Sequence, residues 1–364
     1  MQFFAEYGLF LAKAITIGLG LAAALVAVAG GFAAMSQRQR KAPAQHLEVV
    51  HLNKRFDEME RAVSGALLSP QQRKRRRDAR AKDEKKKDKA KRKAAKRAKK
   101  TGESDDANDG DSATKRIYVL DFAGDIRASA VASLRHEVSA ILTMATARDE
   151  VVVRVESAGG AVHGYGLAAS QLLRIRARDI RLTVCVDKIA ASGGYMMACV
   201  ADRLIAAPFA FLGSIGVIMQ MPNMHRLLKR NAVDFELLHA GEHKRTLTVF
   251  GENTDKGRRK LQQELEEMHA LFKQHVKAHR PQLDIERVAT GEHWLGTRAL
   301  ELGLVDHLQT SDDYLMAARG DAQLLALRYS EKKKLAERLS SLLRRPSAAA
   351  LVEDFAELER PHLL

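Results

Sequence analysis

The chain has 364 residues, 60 Lys and Arg against 45 Asp and Glu, and a formal charge of +15, yet 46% of it is hydrophobic. That content supports a sizeable core and excludes a chain disordered throughout, while two cysteines are too few for a disulfide framework or a cysteine-built metal site. Most of the charge sits in residues 71–100, which hold 18 Lys or Arg, 4 Asp or Glu and no aromatic residue for base stacking, so nucleic acid is a poor partner and the rest of the chain is near neutral.

Ala14 to Ala34 carries no charge and as a helix would span about 31 Å, close to the hydrocarbon thickness. Small residues at 30–34 suit signal-peptide cleavage, but the apolar run is long and Arg38, Arg40 and Lys41 follow at once, which favours an uncleaved transmembrane anchor over residues 1–36. In 37–70, Leu52, Phe56, Met59, Val63 and Leu67 recur at helical spacing, a juxtamembrane amphipathic helix that lies on lipid or packs against another protomer. Residues 71–114 combine the basic run with the acidic stretch Glu103–Asp111 and read as a charged disordered linker or a solvated helix, whose natural partner is anionic lipid.

From 115 to 328 strands and helices alternate. The strands are Ile117–Phe122, Val151–Val155 and Ile180–Val186; the helices are Val131–Met144, Leu167–Ile175 and Asn253–His279. This is one α/β domain of ββα or βαβ units, closed by Trp294 and Gly296–Asp306. Phe235–Leu238 reads as strand-like, and His225 looks like the start of a surface helix. In the tail, 329–364, leucines at 335, 339, 342 and 343 suggest a packing helix or an oligomer contact.

Ala190-Ala191-Ser192-Gly193-Gly194-Tyr195 places a hydroxyl between a strand and a helix. Ser192 at a helix N-terminus has nucleophile geometry, and the Gly193 N–H there is free to hold an oxyanion. An ordinary Ser N-cap is the competing explanation. Tyr195 with Met196 and Met197 lines a substrate groove or packs in the core, and both readings stand. No histidine is well placed for a Ser-His-Asp triad; a polar loop, His239–Leu247, offers Lys244 instead. Cys185 and Cys199 are read as small core residues, and the 13 histidines show no metal-ligand spacing; His163 is a substrate contact or a surface residue.

Five segments stand in a fixed order: Glu156-Ser157-Ala158-Gly159-Gly160-Ala161-Val162, Ala191–Tyr195, Gly213-Ser214-Ile215-Gly216-Val217, Gly241-Glu242-His243-Lys244 and Ala299–Asp306. Together the chain resembles the signal peptide peptidase A family of serine proteases, in its membrane-anchored, SohB-like branch. The resemblance implies a crotonase/ClpP-like fold of repeated ββα units and a serine endopeptidase needing no cofactor or metal. It implies Ser192 as nucleophile, Lys244 as general base and Ser214 as the hydroxyl that orients the lysine. The oxyanion hole would be built from Gly159, Gly160 and Gly193. The family's loop has Pro before the Gly-Gly pair, where this chain has Ala158, a loss that would loosen the turn.

An ammonium cannot take a proton from serine. Moving a lysine from about 10.4 to near 7 requires surroundings that disfavour the charge by about 4.6 kcal/mol. Lys244 is therefore expected in an apolar, carboxylate-free place beside Ser192 and Ser214, with neither Glu156 nor Glu242 paired to it. The resemblance implies peptide or protein substrates, signal-peptide remnants or damaged envelope proteins among them, and a ring-like homo-oligomer in which a neighbouring protomer supplies Lys244. It also implies the outer face of the inner membrane, whereas the basic flank of the span predicts the cytoplasmic side. Two other classes are an acyl-CoA enzyme of the crotonase fold and a non-catalytic membrane scaffold.

Overall fold

Aliphatic and β-branched residues run almost unbroken through the central strands, the pattern of a parallel sheet covered on both faces. The computed structural model describes residues 45–69, scattered positions between 71 and 89, and residues 114–331. The chain opens with β1 (Gln45–His51), α1 (Leu52–Leu67), β2 (Lys115–Gly124), α2 (Val131–Leu142), β3 (Glu150–Ser157) and α3 (Val162–Arg176). It continues through β4 (Arg181–Val186), β5 (Ile189–Ala191), α4 (Gly193–Ala198), β6 (Arg203–Ala206), β7 (Phe211–Gly213), α5 (His225–Arg230) and α6 (Asp255–His279). It closes with α7 (Ile285–Val288), β8 (His293–Leu295), α8 (Gly296–Glu301), β9 (His307–Leu308), α9 (Ser311–Ala318) and β10 (Ala322–Glu331). All but the first two residues of β1 and the last two of β10 belong to the compact unit within Leu47–Tyr329.

The main sheet runs β1-β10-β2-β3-β4-β6-β9. From β10 to β9 its pairs are parallel. It forks at the end of β3: β4 pairs with Glu150–Arg154, whereas β5 pairs at Ser157 and leads on to β7 and β8. Alternation splits each strand between two cores. Tyr118, Leu120 and Phe122 face the larger core under α2, α3 and α6, while Ile117, Val119, Val152 and Cys185 face a smaller one holding Leu315. The two free cysteines lie in different cores and both are buried, as expected; burial pushes the Cys199 thiol up to about 12.

The amphipathic helix expected from Leu52 to Leu67 forms as α1. Gln45–His51 is a strand, and α1 is docked on the chain's own domain, where Leu52 and Phe56 pack on the smaller core. The Asn53 amide donates to the carbonyls of Arg319 and Ala322 and accepts from the Leu324 N–H, while Arg319 pairs with Asp57 and Glu60. Met59, Val63 and Leu67 remain exposed. The chain is thus fixed to the domain on both sides of the charged run, by α1 before it and β2 after it. The expected span, the greater part of that run and the C-terminal tail lie outside the described residues; among the described residues no helix is long and apolar enough to cross a membrane. Phe235–Leu238 forms no strand.

The Gly303–Asp306 segment works as a clasp. Asp306 takes two hydrogen bonds from Arg280, at 3.0 and 2.6 Å, and one from the Leu204 N–H at 2.7 Å. Burial pushes the Asp306 carboxyl up, but these bonds and the Arg280 charge outweigh it and hold it below its ordinary 3.8. Asp306→Ala leaves the Arg280 guanidinium buried and unpaired, and is expected to cost about 3 kcal/mol, read as a lower urea midpoint at pH 7. Because the folded value is depressed, this stabilisation is full above the ordinary value and lost as pH falls through the folded one. The difference between wild type and variant should therefore close only in acid.

Candidate active site

Three parallel strands end at the same edge of the fork, where α/β sheets place their sites. Ser157 of β3 is in register with Ala190 of β5, and Ala191 with Gly213 of β7. Past these pairs the chain turns sharply, with positive φ at Gly159 (100°), Gly160 (153°), Ser192 (50°), Gly213 (96°) and Ser214 (51°). The Ser192 N–H donates to the Gly213 carbonyl at 2.8 Å, which sets the two serine-bearing turns side by side. Ser192 precedes α4, yet its side chain makes no capping hydrogen bond, so the N-cap explanation does not account for it.

The Gly159–Gly160 turn lies directly against Ser192. A Cβ on Gly159 would stand 2.7 Å from the Ser192 Cβ, and one on Gly160 would meet the Ile126 carbonyl oxygen at 2.2 Å. Only glycine fits either place. The three expected oxyanion donors are not equivalent. Gly159 spends its N–H on the Ser157 hydroxyl at 3.1 Å, whereas those of Gly160 and Gly193 have no acceptor among the described residues. Ser157 thereby braces the loop where Ala158, exposed, stands in place of proline. A narrow cleft opens over Ser192, lined by Gly160, Val162, Gly193, Met196, Gly216, Val217, Met268 and Phe272, without a charged group.

Lys244 does not have the dry surroundings expected of it. It is exposed, in a turn closed by its own N–H to the Gly241 carbonyl at 3.2 Å, and among the described residues its amine has no hydrogen bond to Ser192 or Ser214. The reason lies in the segment that carries it. Residues 224–249 leave the domain and return at one point, where the Met224 N–H meets the Val249 carbonyl at 2.7 Å and Asn223 bonds the carbonyls of Thr248 and Gly251. Beyond that root the arm leaves Leu227, Val233, Phe235, Leu237 and Leu238 exposed, Leu238 at 93%. The carboxylates that would hold an ammonium are engaged elsewhere: Glu156 pairs with Lys188 and Glu242 with Lys256.

Tyr195 is not a substrate contact. It is fully buried and its hydroxyl donates to the Leu304 carbonyl at 2.9 Å, because the face of α4 that carries it turns into the core; Met196 reaches the cleft instead. His163 is exposed on α3. Other contacts gave no signal in the sequence. On α6, Met268 and Phe272 line the cleft, His269 bonds the Ile215 carbonyl at 3.1 Å and His275 the Met196 carbonyl at 3.0 Å, tying one helix to both active-site turns. Their helical spacing was legible; which face met the site was not.

Comparison with known proteins places these turns in a family. A model described as "Peptidase family S49 N-terminal" matches residues 2–172, and one described as "Peptidase family S49" matches residues 174–325. A probable protease SohB of Haemophilus influenzae is 50% identical over 329 residues, covering 90% of each chain. Another, from Buchnera aphidicola subsp. Acyrthosiphon pisum, is 54% identical over 241 residues, 66% of this chain and 72% of that protein.

Proposed function

This chain belongs to peptidase family S49 and is a serine-type peptidase, and from that premise we propose that it is a membrane-anchored endopeptidase acting through an acyl-enzyme on Ser192. The observation that carries the assignment is an uncapped Ser192 at positive φ facing a cleft, with the unengaged N–H groups of Gly160 and Gly193 beside it. Ser192 Oγ attacks the scissile carbonyl, Lys244 takes its proton, and the two N–H groups hold the oxyanion. Lys244 then returns the proton to the leaving amine, and water releases the acyl group. Ser214, held beside Ser192 by the paired turns, orients the lysine.

The uncharged lining of the cleft favours apolar side chains, as found in signal-peptide remnants and damaged membrane or envelope proteins. Ten residues separate the expected span, 14–34, from β1, so the domain works within about 36 Å of the bilayer. Lys244 reaches dry surroundings when the apolar arm of one copy docks on another, in a homo-oligomer that shares each site between two protomers.

A serine-directed fluorophosphonate tests the nucleophile. It should label the wild type at Ser192 and leave Ser192→Ala unlabelled; a label carried by another residue, or none on active wild-type protein, overturns the assignment.

A further inference from the structure

Beneath both oxyanion donors runs a buried chain of hydrogen bonds that no step above uses. The Gly159 N–H donates to Ser157 Oγ at 3.1 Å, Ser157 Oγ lies 2.5 Å from the Tyr165 hydroxyl, and that hydroxyl donates to the Asp125 carbonyl at 2.8 Å. Its direction is forced. The amide can only donate and the carbonyl only accept, so each hydroxyl accepts from one side and donates to the other. Ser157 and Tyr165 are 2% and 0% exposed, so no water competes for these bonds.

Tyr165 also touches the second donor. A Cβ on Gly193 would stand 2.5 Å from the Tyr165 Cγ, so the ring and the Gly193 backbone are in contact that only glycine permits. The Asp125 end of the chain belongs to the loop that covers the turn, where the Ala161 N–H donates to the Ile126 carbonyl at 2.7 Å. One side chain on α3 therefore bears on the turn that carries Gly160, on the residue that follows the nucleophile, and on the loop above them. Burial pushes the Tyr165 phenol up, which keeps it a protonated donor.

We infer that Tyr165, acting through Ser157, is the positioning residue of the oxyanion hole: its hydroxyl draws the Gly159 N–H out of the site and so aims the Gly160 N–H, while its ring sets the Gly193 N–H. The inference rests on Ser192 being the nucleophile. Tyr165→Phe keeps the ring and removes the hydroxyl; Ser157→Ala cuts the same chain from the other side.

In full-length protein in mild detergent, each variant is expected to lose about ten- to a hundredfold in kcat with KM changed less than about twofold. Inhibition by a peptide aldehyde, whose hemiacetal oxygen occupies the oxyanion position, should weaken by the same factor. Leu315→Ala, a change in the smaller core, should lower the melting temperature and leave both readouts unmoved. Wild-type kcat and aldehyde inhibition in a folded Tyr165→Phe, or in Ser157→Ala should the first not fold, overturn the positioning role. An active Ser192→Ala instead overturns the nucleophile on which it rests, so the two failures are distinct.

Discussion

Replacing Ser192 by glycine is expected to lower kcat by at least about four orders of magnitude while raising the melting temperature by about 2–4 °C. Loss of activity follows from loss of the only oxygen that can form the acyl-enzyme. The gain in stability follows from the backbone. Ser192 sits at φ 50° and ψ −119°, a region that costs a residue with a side chain about 1–3 kcal/mol. Glycine adopts it without that cost but gives back about 0.5–1 kcal/mol of chain entropy, so a gain of about 1 kcal/mol remains. No capping bond is lost, because the Ser192 hydroxyl makes none. Ser192→Ala keeps the strain and should be equally inactive with an unchanged melting temperature. Calorimetry and peptide hydrolysis on the pair separate the roles: a Ser192→Gly protein that melts lower than wild type, or still turns over substrate, contradicts the assignment.

That strain was invisible in the sequence, although its neighbours were not. Val151–Val155 and Ile180–Val186 were legible as strands because burial on both faces leaves them mostly apolar and rich in β-branched residues. The start of α6 was legible to within two residues, and Thr254, whose side chain accepts from the Gly257 N–H, caps it. β5, β7 and β8 were not, because three residues are too few to show a period, and yet these short strands make the fork that sets Ser192 beside Ser214. β1 gave no separate signal, because it lies directly before the helical spacing that starts at Leu52. Motif order supplied Ser192, Ser214 and the glycines, but a motif cannot say which glycine N–H is already engaged; that depended on Ser157 and Tyr165. The surroundings of Lys244 were beyond reach because its position depends on an arm that leaves it exposed in the single chain.

Mixing Ser192→Ala with Lys244→Ala protein is therefore expected to restore activity that neither has alone. A lysine base must be taken out of water at a cost of several kcal/mol, and the chain by itself leaves Lys244 in solvent on an arm rich in exposed apolar residues. A patch of that kind is covered in the working protein by another protein surface or by lipid, and the mixing experiment tests the proposed second copy as that cover. In the proposed shared site the arm of one copy meets the serine-bearing surface of the next, a head-to-tail contact that forms a ring where the rotation between copies closes, each site taking serine from one copy and lysine from the next. In equal mixtures, roughly a quarter of interfaces then pair an intact serine with an intact lysine, and turnover should recover to roughly a quarter of wild type. Sharing within one chain predicts no recovery at all. Exchange of subunits is checked by co-purification through a tag carried by only one variant. Exchanged oligomers that stay inactive, or a wild-type monomer that hydrolyses peptides at full rate, would remove the shared site and return Lys244 to its own chain, where the arm would have to fold back over Ser192.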